Sequence, residues 1–112
     1  MKYTVTNQQE LTIIHVVGRL DSTTSPQFES GIQEYLAPPQ KDLIMDFSEL
    51  DYISSAGLRV ILKIAKAFSG VSADFSVCGM LDNVYEVFEI SGFDNYISIY
   101  DSLAEYGGGR KK

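Results

Sequence analysis

Residues 51–58, Asp51-Tyr52-Ile53-Ser54-Ser55-Ala56-Gly57-Leu58, separate a strand-like segment from a helix-like segment. They place two hydroxyl groups where a helix is expected to begin. The first turn of a helix has free backbone N–H groups and the positive end of the helix dipole. A phosphate group is therefore stabilised at such a position. Ser54 and Ser55 are interpreted either as helix caps or as a modification site.

The chain has 112 residues, which suits one domain with one hydrophobic core. Its hydrophobic fraction of 45% is that of an ordinary globular protein. We predict a single domain over residues 1–106. The glycines and basic residues of 107–112 predict a flexible tail that adds nothing to the core.

The net charge of −6 disfavours nucleic acid and anionic lipid as partners, because both need a basic face. No signal peptide and no apolar stretch of membrane-spanning length is evident, so we expect a cytoplasmic protein without a membrane partner. The single cysteine, Cys78, lies in an apolar strand-like run and is interpreted as a buried small hydrophobe. The single histidine, His15, is assigned no role.

Strand-like and helix-like segments alternate after an opening hairpin, in the order β-β-α-β-α-β-α-β-(α). The predicted strands are Tyr3 to Asn7, Leu11 to Val17, Leu43 to Phe47, Phe75 to Cys78 and Tyr96 to Tyr100. The predicted helices run from Pro26 to about Leu36, where Pro38-Pro39 follows, from about Ala56 to Phe68, from Leu81 to Ile90, with Gly92 as a C-cap signal, and from Ser102 to Tyr106. This order predicts an α/β fold with a mixed, mainly parallel sheet, opened by an antiparallel hairpin and packed against helices.

Functional loops of such sheets gather at the carboxyl ends of the strands. Three segments meet that description: Gly18 to Ser25, Ser48 to Ala56 and Gly79 to Asp82. Gly57 has a helix-propensity cost of about 1 kcal/mol. Close approach of another backbone or of a large ligand would compensate that cost.

Four acidic residues are expected near the serine pair. Asp21 and Asp46 are placed at the ends of strands, and Glu49 and Asp51 in the loop that leads to Ser54. The acids either perform ordinary turn chemistry or form an acidic rim that repels a phosphoserine of about −1.5 to −2 charge. Their spacing supports no metal site.

The helix after Ser55 has two apolar strips. One contains Leu58, Ile61, Leu62 and Ala65, and the other contains Val60, Ile64, Ala67 and Phe68. A basic stripe of Arg59, Lys63 and Lys66 lies between them. Either the two strips pack on the sheet and on a neighbouring helix, or part of the second strip is exposed and binds a partner.

Residues 46–58, Asp-Phe-Ser-Glu-Leu-Asp-Tyr-Ile-Ser-Ser-Ala-Gly-Leu, resemble the phosphorylation segment of STAS domains, and in particular that of stand-alone anti-sigma factor antagonists. The loop from Gly18 to Asp21 also resembles this family. The common family pattern is Asp-Ser-Ser/Thr-Gly-Leu. Alignment on Gly57-Leu58 puts the phosphorylated serine at Ser55, with Ser54 as the alternative, since Ser54 stands where the family often has Asp.

The resemblance implies a partner-switching cycle without catalytic residues or cofactor. The unmodified protein binds an anti-sigma factor that is also a GHKL-type serine kinase; phosphorylation releases it, and a PPM-type phosphatase resets the cycle. The implied partner contacts are Asp21, Ser54, Gly57, Leu58, Arg59 and Lys63. The supporting acidic rim is Asp46, Glu49 and Asp51.

Two other functions stay open. A receiver-like domain could accept phosphate on Asp46, although the acidic pair, the lysine and the Mg²⁺ site that it needs are not evident. A STAS subunit of a membrane transport assembly is the other alternative. The sequence identifies neither the kinase, the phosphatase, the sigma factor nor the oligomeric state.

Overall fold

The structure is a computed structural model, and it describes residues 1–36, 41–95 and 97–110. These residues form a five-stranded sheet in the order β1-β2-β3-β4-β5, with four α-helices. The first strand pairs antiparallel with the second, and the other neighbouring pairs are parallel. The strands are β1 Lys2–Asn7, β2 Leu11–Leu20, β3 Asp42–Ile53, β4 Phe75–Cys78 and β5 Ser98–Tyr100, and the helices are α1 Ser25–Gly31, α2 Ser55–Ala67, α3 Asp82–Ser91 and α4 Leu103–Arg110. The predicted fold class is confirmed.

Most element positions agree with the sequence prediction. The bounds of β4 are those predicted, and Gly92 ends α3 in the left-handed conformation, with φ of 78°. The helix α1 is shorter than predicted, because it ends at Gly31 and a 3₁₀ turn at Gln33–Tyr35 follows. A Cβ atom at Gly31 would lie 2.0 Å from the hydroxyl oxygen of Tyr3, so a glycine lets the helix end pass close to β1.

Some sequence predictions fall on residues outside the described ranges. These are the helix stop at Pro38-Pro39 and the start of the last strand at Tyr96. The last helix runs to Arg110, which is four residues into the segment predicted as a tail. The single-domain boundary at residue 106 stays a prediction.

The paired strands β2 and β3 extend further than predicted. The sequence placed loops at Gly18 to Ser25 and at Ser48 to Ala56, but pairing continues to Leu20 opposite Ile53. The register shifts twice along the pair, and each time β3 carries one residue more than β2. Gly18, at the second shift, has φ of 106°, which only glycine adopts without strain.

The two β-bulges explain why the sequence pattern of residues 48–53 does not predict a strand. An extra residue in one strand breaks the alternation of side chains between the two faces. Phe47, Leu50 and Ile53 are all buried in the main core, although they are three residues apart and not two. Because this spacing does not match the period of a regular strand, the sequence pattern predicts a loop here.

The sheet buries a different cluster on each face. The main core joins β2, β3 and β4 to α1, α2 and α3, and its largest fully buried side chains include Phe28, Phe47 and Phe88. The opposite face holds a smaller cluster of Ile44, Cys78 and Tyr106, which α4 contributes to. Cys78 is fully buried, and burial raises the pKa of its thiol to about 12, with Asp46 adding to the effect. The interpretation of Cys78 as a buried hydrophobe is confirmed.

Two isoleucines on helices provide a matched comparison of burial. Ile64 on α2 is 0% exposed and Ile90 on α3 is 80% exposed. We expect Ile64→Ala to lower the free energy of unfolding by about 2–5 kcal/mol, because it leaves a cavity in the core. We expect Ile90→Ala to change it by less than about 0.5 kcal/mol. Urea unfolding of both variants measures this difference, and equal losses would contradict the described packing of α2.

Candidate functional site

Ser54 is the N-cap of α2. Its backbone is extended, with φ of −98° and ψ of 177°, and its Oγ accepts a hydrogen bond of 3.3 Å from the backbone N–H of Gly57. Its own N–H donates to the carbonyl of Leu20 at 2.9 Å, and its carbonyl accepts from the N–H of Leu58 at 2.9 Å. Ser54 therefore joins the end of β2 to the start of α2, and its side chain is engaged in capping.

Ser55 is the first residue of α2, and it is exposed. No hydrogen bond of its hydroxyl is found within residues 1–36, 41–95 and 97–110. The hydroxyl lies at the positive end of a 13-residue helix. The two serines therefore have different environments: the side chain of Ser54 is used by the fold, and that of Ser55 is accessible.

Gly57 allows the first turn of α2 to approach the end of β2. A Cβ atom at this position would lie 2.6 Å from the carbonyl oxygen of Leu20 and 2.8 Å from Cγ1 of Ile53. The sequence suggests that close approach of another backbone or of a large ligand compensates the helix-propensity cost of Gly57. The structure shows the close approach of a backbone. Gly57 and Leu58 are both buried. They support the site from the interior, and their role as partner contacts stays a prediction.

Asp21 forms the turn between β2 and α1. Its Oδ1 accepts hydrogen bonds from the N–H groups of Thr23 and Thr24, at 3.0 and 3.1 Å. The bond from the Thr24 N–H is the largest cause that lowers the pKa of Asp21, and Arg19 contributes as well. Asp21 directly follows Leu20, which pairs with Ile53, so its position beside the serine segment is as predicted.

Asp46 and Glu49 do not belong to a rim around Ser55. The sequence predicts Asp46 at the end of a strand and Glu49 in a loop. In the structure, both lie within β3. At about 3.3 Å per residue, Asp46 is separated from Ser54 by more than roughly 20 Å of strand, and Glu49 by roughly 15 Å. Both carboxylates bind His15, at 3.2 and 2.8 Å. The prediction failed because it ended β3 too early.

The remaining surroundings of Ser55 are of mixed charge. Asp51 is exposed on β3, three residues before Ser54, and its carbonyl accepts a hydrogen bond of 2.8 Å from the side chain of Asn83. The guanidinium of Arg19 lies 4.4 Å from the centre of the Tyr52 ring. Sequence reasoning missed this cation–π pair, because the residues meet only through the shifted register of β2 and β3.

The exposed face of α2 begins with Ser55 and continues with the basic stripe. Arg59, Lys63 and Lys66 are all exposed, as predicted. The Nζ atom of Lys63 lies 3.3 Å from a carboxylate oxygen of Glu29 on α1, which makes a surface ion pair. Residues four apart on a helix are neighbours, so Arg59 lies beside Ser55.

One alternative from the sequence is that part of the second apolar strip of α2 is exposed. The structure shows a different distribution of exposed apolar residues. Val60, Ile64 and Phe68, from the second strip, are buried in the main core, and Ala67 of the same strip is half-buried. Leu62 and Ala65, from the first strip, line an open groove of about 450 Å³ together with Lys66, Ser69 and Phe93. The partly exposed apolar residues of the two strips are therefore Leu62 and Ala65 of the first strip and Ala67 of the second.

Residues 1–36, 41–95 and 97–110 contain neither a metal site nor a membrane-spanning helix. Within them, no set of three or more His, Cys, Asp or Glu side chains is arranged to hold a metal ion. None of the helices in the same ranges has the length and hydropathy needed to cross a membrane.

A mixed sheet opened by a hairpin, with a serine pair at the start of α2 of which Ser54 is the N-cap, defines the class of the protein. The chain belongs to the STAS domain family, whose model matches residues 2–106. BtrV of Bordetella bronchiseptica, provisionally named as an anti-sigma factor antagonist, is 34% identical over 102 residues, which are 91% of this chain and 88% of that protein. The anti-sigma-B factor antagonist of Listeria monocytogenes is 27% identical over 95 residues, which are 85% of this chain and 83% of that protein.

Solved structures share the fold. An anti-sigma factor antagonist of Thermotoga maritima, also provisionally named, superposes with a TM-score of 0.90 at 20% identity, over 98% of this chain and 95% of that chain. The phosphorylated form of the Bacillus protein SpoIIAA superposes with a TM-score of 0.74 at 18% identity, over 99% of this chain and 100% of that chain.

The two serines are expected to differ in their effect on stability. Ser54→Ala removes the cap acceptor of the Gly57 N–H, and we expect a loss of about 1 kcal/mol in the free energy of unfolding. Ser55→Ala removes an exposed hydroxyl, and we expect a change of less than about 0.5 kcal/mol. Chemical unfolding of the two variants measures both effects. Equal stabilities would show that the Ser54 cap contributes nothing.

Gly57 is expected to tolerate no side chain. In Gly57→Ala the added Cβ meets the carbonyl of Leu20, which is backbone and cannot rotate away, so we expect a loss of about 1–3 kcal/mol. Ala is a better helix former than Gly by about 1 kcal/mol, so propensity alone would give a gain. The sign of the change in thermal stability therefore distinguishes the steric effect from propensity, and a stabilised variant would contradict the close approach.

Proposed function

We propose that this protein is an anti-sigma factor antagonist controlled by phosphorylation of Ser55. The observation that carries the proposal is the different environment of the two serines. Ser54 caps α2 by accepting a hydrogen bond from the Gly57 N–H, while Ser55 beside it is exposed. The relatives named as anti-sigma factor antagonists support an anti-sigma factor as the partner. In this proposal the protein is a binding protein and not an enzyme.

A phosphate on Ser55 would be compatible with the fold. It would lie at the N-terminus of α2, where the helix dipole favours negative charge. Arg59 is one turn further along the same face, within reach of a phosphate oxygen. Modification therefore requires no rearrangement of the sheet, and its effect is on the surface that a partner contacts.

The unmodified protein would present an exposed, basic face of α2 to the anti-sigma factor. Arg59 and Lys63 are the proposed contacts of this face, together with Asp21 and Ser54 beside the N-terminus of α2. A phosphate on Ser55 adds a charge of about −1.5 to −2 at the centre of this surface. It also attracts Arg59, so the cation is less available to the partner. Both effects favour release.

The acids that remain near Ser55 assist release weakly. Asp21 and Asp51 stay on the rim, whereas Asp46 and Glu49 are held by His15. Repulsion by the protein's own acids is therefore a smaller part of the mechanism than the sequence had suggested. The main effect is the change of charge that the partner meets.

The cycle needs two enzymes. A GHKL-type serine kinase that is also the anti-sigma factor would phosphorylate Ser55, and a PPM-type phosphatase would remove the phosphate. Because the kinase consumes ATP, the proposal places the protein in the cytoplasm. No cofactor is needed for binding or release.

The two alternatives have less support. A receiver-like role needs an accessible acceptor, but the Asp46 side chain is 16% exposed, and it is hydrogen-bonded to His15 and to the Ser48 N–H. For a transport assembly, one part of the murine Solute Carrier 26 family member A9 anion transporter superposes on this chain with a TM-score of 0.74 at 14% identity. That likeness covers 17% of the transporter chain and concerns the fold alone.

Phosphotransfer tests the proposal directly. The GHKL-type serine kinases of the source organism are purified and incubated with the protein and ATP. We expect one of them to add a single phosphate to the wild type and to Ser54→Ala, and none to Ser55→Ala, as measured by intact mass. Phosphorylation of Ser55→Ala would reject the site, and loss in Ser54→Ala alone would move it by one residue.

Binding by the same kinase provides the second measurement. Titration calorimetry without ATP is expected to show binding of the wild type and of Ser55→Ala, and a loss of at least about tenfold for Ser55→Asp, which carries a negative charge at the centre of the contact. Thr6→Asp on β1 is the matched control, because it adds the same charge at an exposed residue away from α2. Equal affinity of Ser55→Asp and the wild type would contradict release by charge.

A further inference from the structure

The only histidine of the chain connects two carboxylates on the sheet face that α4 partly covers. The Nδ1 of His15 lies 3.2 Å from Oδ2 of Asp46, and its Nε2 lies 2.8 Å from Oε2 of Glu49. The side chains of His15, Asp46 and Glu49 are 29%, 16% and 62% exposed. The three residues form what we term the His15 bridge.

The His15 bridge spans the first β-bulge. His15 pairs with Asp46 in the sheet, and Val17 pairs with Glu49, so the extra residue of β3 lies between the two carboxylates. A bulge has fewer ladder hydrogen bonds than a regular pair of strands. One imidazole therefore holds both sides of a segment that the backbone holds less well.

Both ring nitrogens of His15 contact a carboxylate, and these two contacts determine which protonation state of the imidazole fits. An ionised carboxylate only accepts hydrogen bonds, and a neutral imidazole has a single N–H to donate. Two donated bonds therefore need the imidazolium. The hydrogen bond to Glu49 is the largest cause that raises the pKa of His15 above 6.5; burial opposes it, and Asp46 adds to it.

Three other elements that neighbour the bridge carry titratable residues: β1, β4 and α4. Thr4 of β1 faces His15 in the register, and Lys2 is the nearest cation on that strand. On β4, Cys78 pairs with Asp46, and its raised pKa keeps the thiol neutral. On α4, Glu105 accepts a hydrogen bond from the Asp101 N–H at 2.8 Å.

We infer that His15 is a proton-dependent clamp on the bulge of β3. With the imidazolium present, both carboxylates are held. After loss of the proton, the single remaining N–H stays with the more buried Asp46, and the lone pair of Nε2 faces the carboxylate of Glu49. Glu49 then turns to solvent, where it is easily hydrated, and the Glu49 side of the bulge opens more often.

The direction of the pH effect follows from the raised pKa. The contribution of the clamp is fully present below pH 6.5 and is lost as the pH rises through the folded-state pKa of His15. Asp46 stays ionised throughout this range: burial raises its pKa, but hydrogen bonds from Ser48 and His15 outweigh burial and lower it. The clamp is independent of the proposed phosphorylation of Ser55.

An NMR titration of the full chain tests the clamp. We expect the single His15 imidazole to titrate above 6.5, and the backbone amides of residues 48–50 to shift with the same midpoint. After correction for the intrinsic rate, their protection from hydrogen exchange is expected to fall several-fold as the pH rises through that midpoint. A His15 midpoint at or below 6.5, or amides that do not follow it, would overturn the inference.

Two variants separate the clamp from a general structural role. In Glu49→Gln the amide can donate to neutral His15, so we expect the amides of residues 48–50 to lose their pH dependence while the bulge stays protected. In His15→Gln the pH dependence is also expected to disappear. Retention of the wild-type pH profile in either folded variant would assign the effect to another group.

Discussion

The site depends on the close contact between the end of β2 and the first turn of α2. The carbonyl of Leu20 accepts the Ser54 N–H at 2.9 Å, and it would lie 2.6 Å from a Cβ atom at position 57. Only glycine permits this approach, and Ser54 completes it by capping the same Gly57. The contact determines where the helix begins, and it therefore leaves Ser55 as the first exposed hydroxyl.

The long pairing of β2 with β3 supplies the platform for this contact. Both strands must reach Leu20 and Ile53 before α2 can start, and two bulges keep Phe47, Leu50 and Ile53 in the core along the way. A bulged strand is held by fewer backbone bonds, which makes side-chain links across it more important. The His15 bridge is such a link, and Asn83 binding the Asp51 carbonyl is another.

Much of the fold was predictable, because its signals are local. Period and composition located β4, and Gly92 located the end of α3. The serine pair and its resemblance to STAS domains located the candidate acceptor. The long strand β3 was not predictable from period alone, since each bulge shifts the alternation by one residue. That single error also displaced Asp46 and Glu49 in the predicted site.

The sequence by itself determined the fold class, the order of the elements and the helix start that carries two serines, because propensity, capping and hydrophobic period act between near neighbours. The tertiary structure alone decided which serine is used by the fold, that Gly57 and Leu58 are interior, and that Asp46 and Glu49 lie back along β3, where they bind His15. Each of these depends on strand register, and register is determined by packing between segments about 30 residues apart, such as His15 and Asp46.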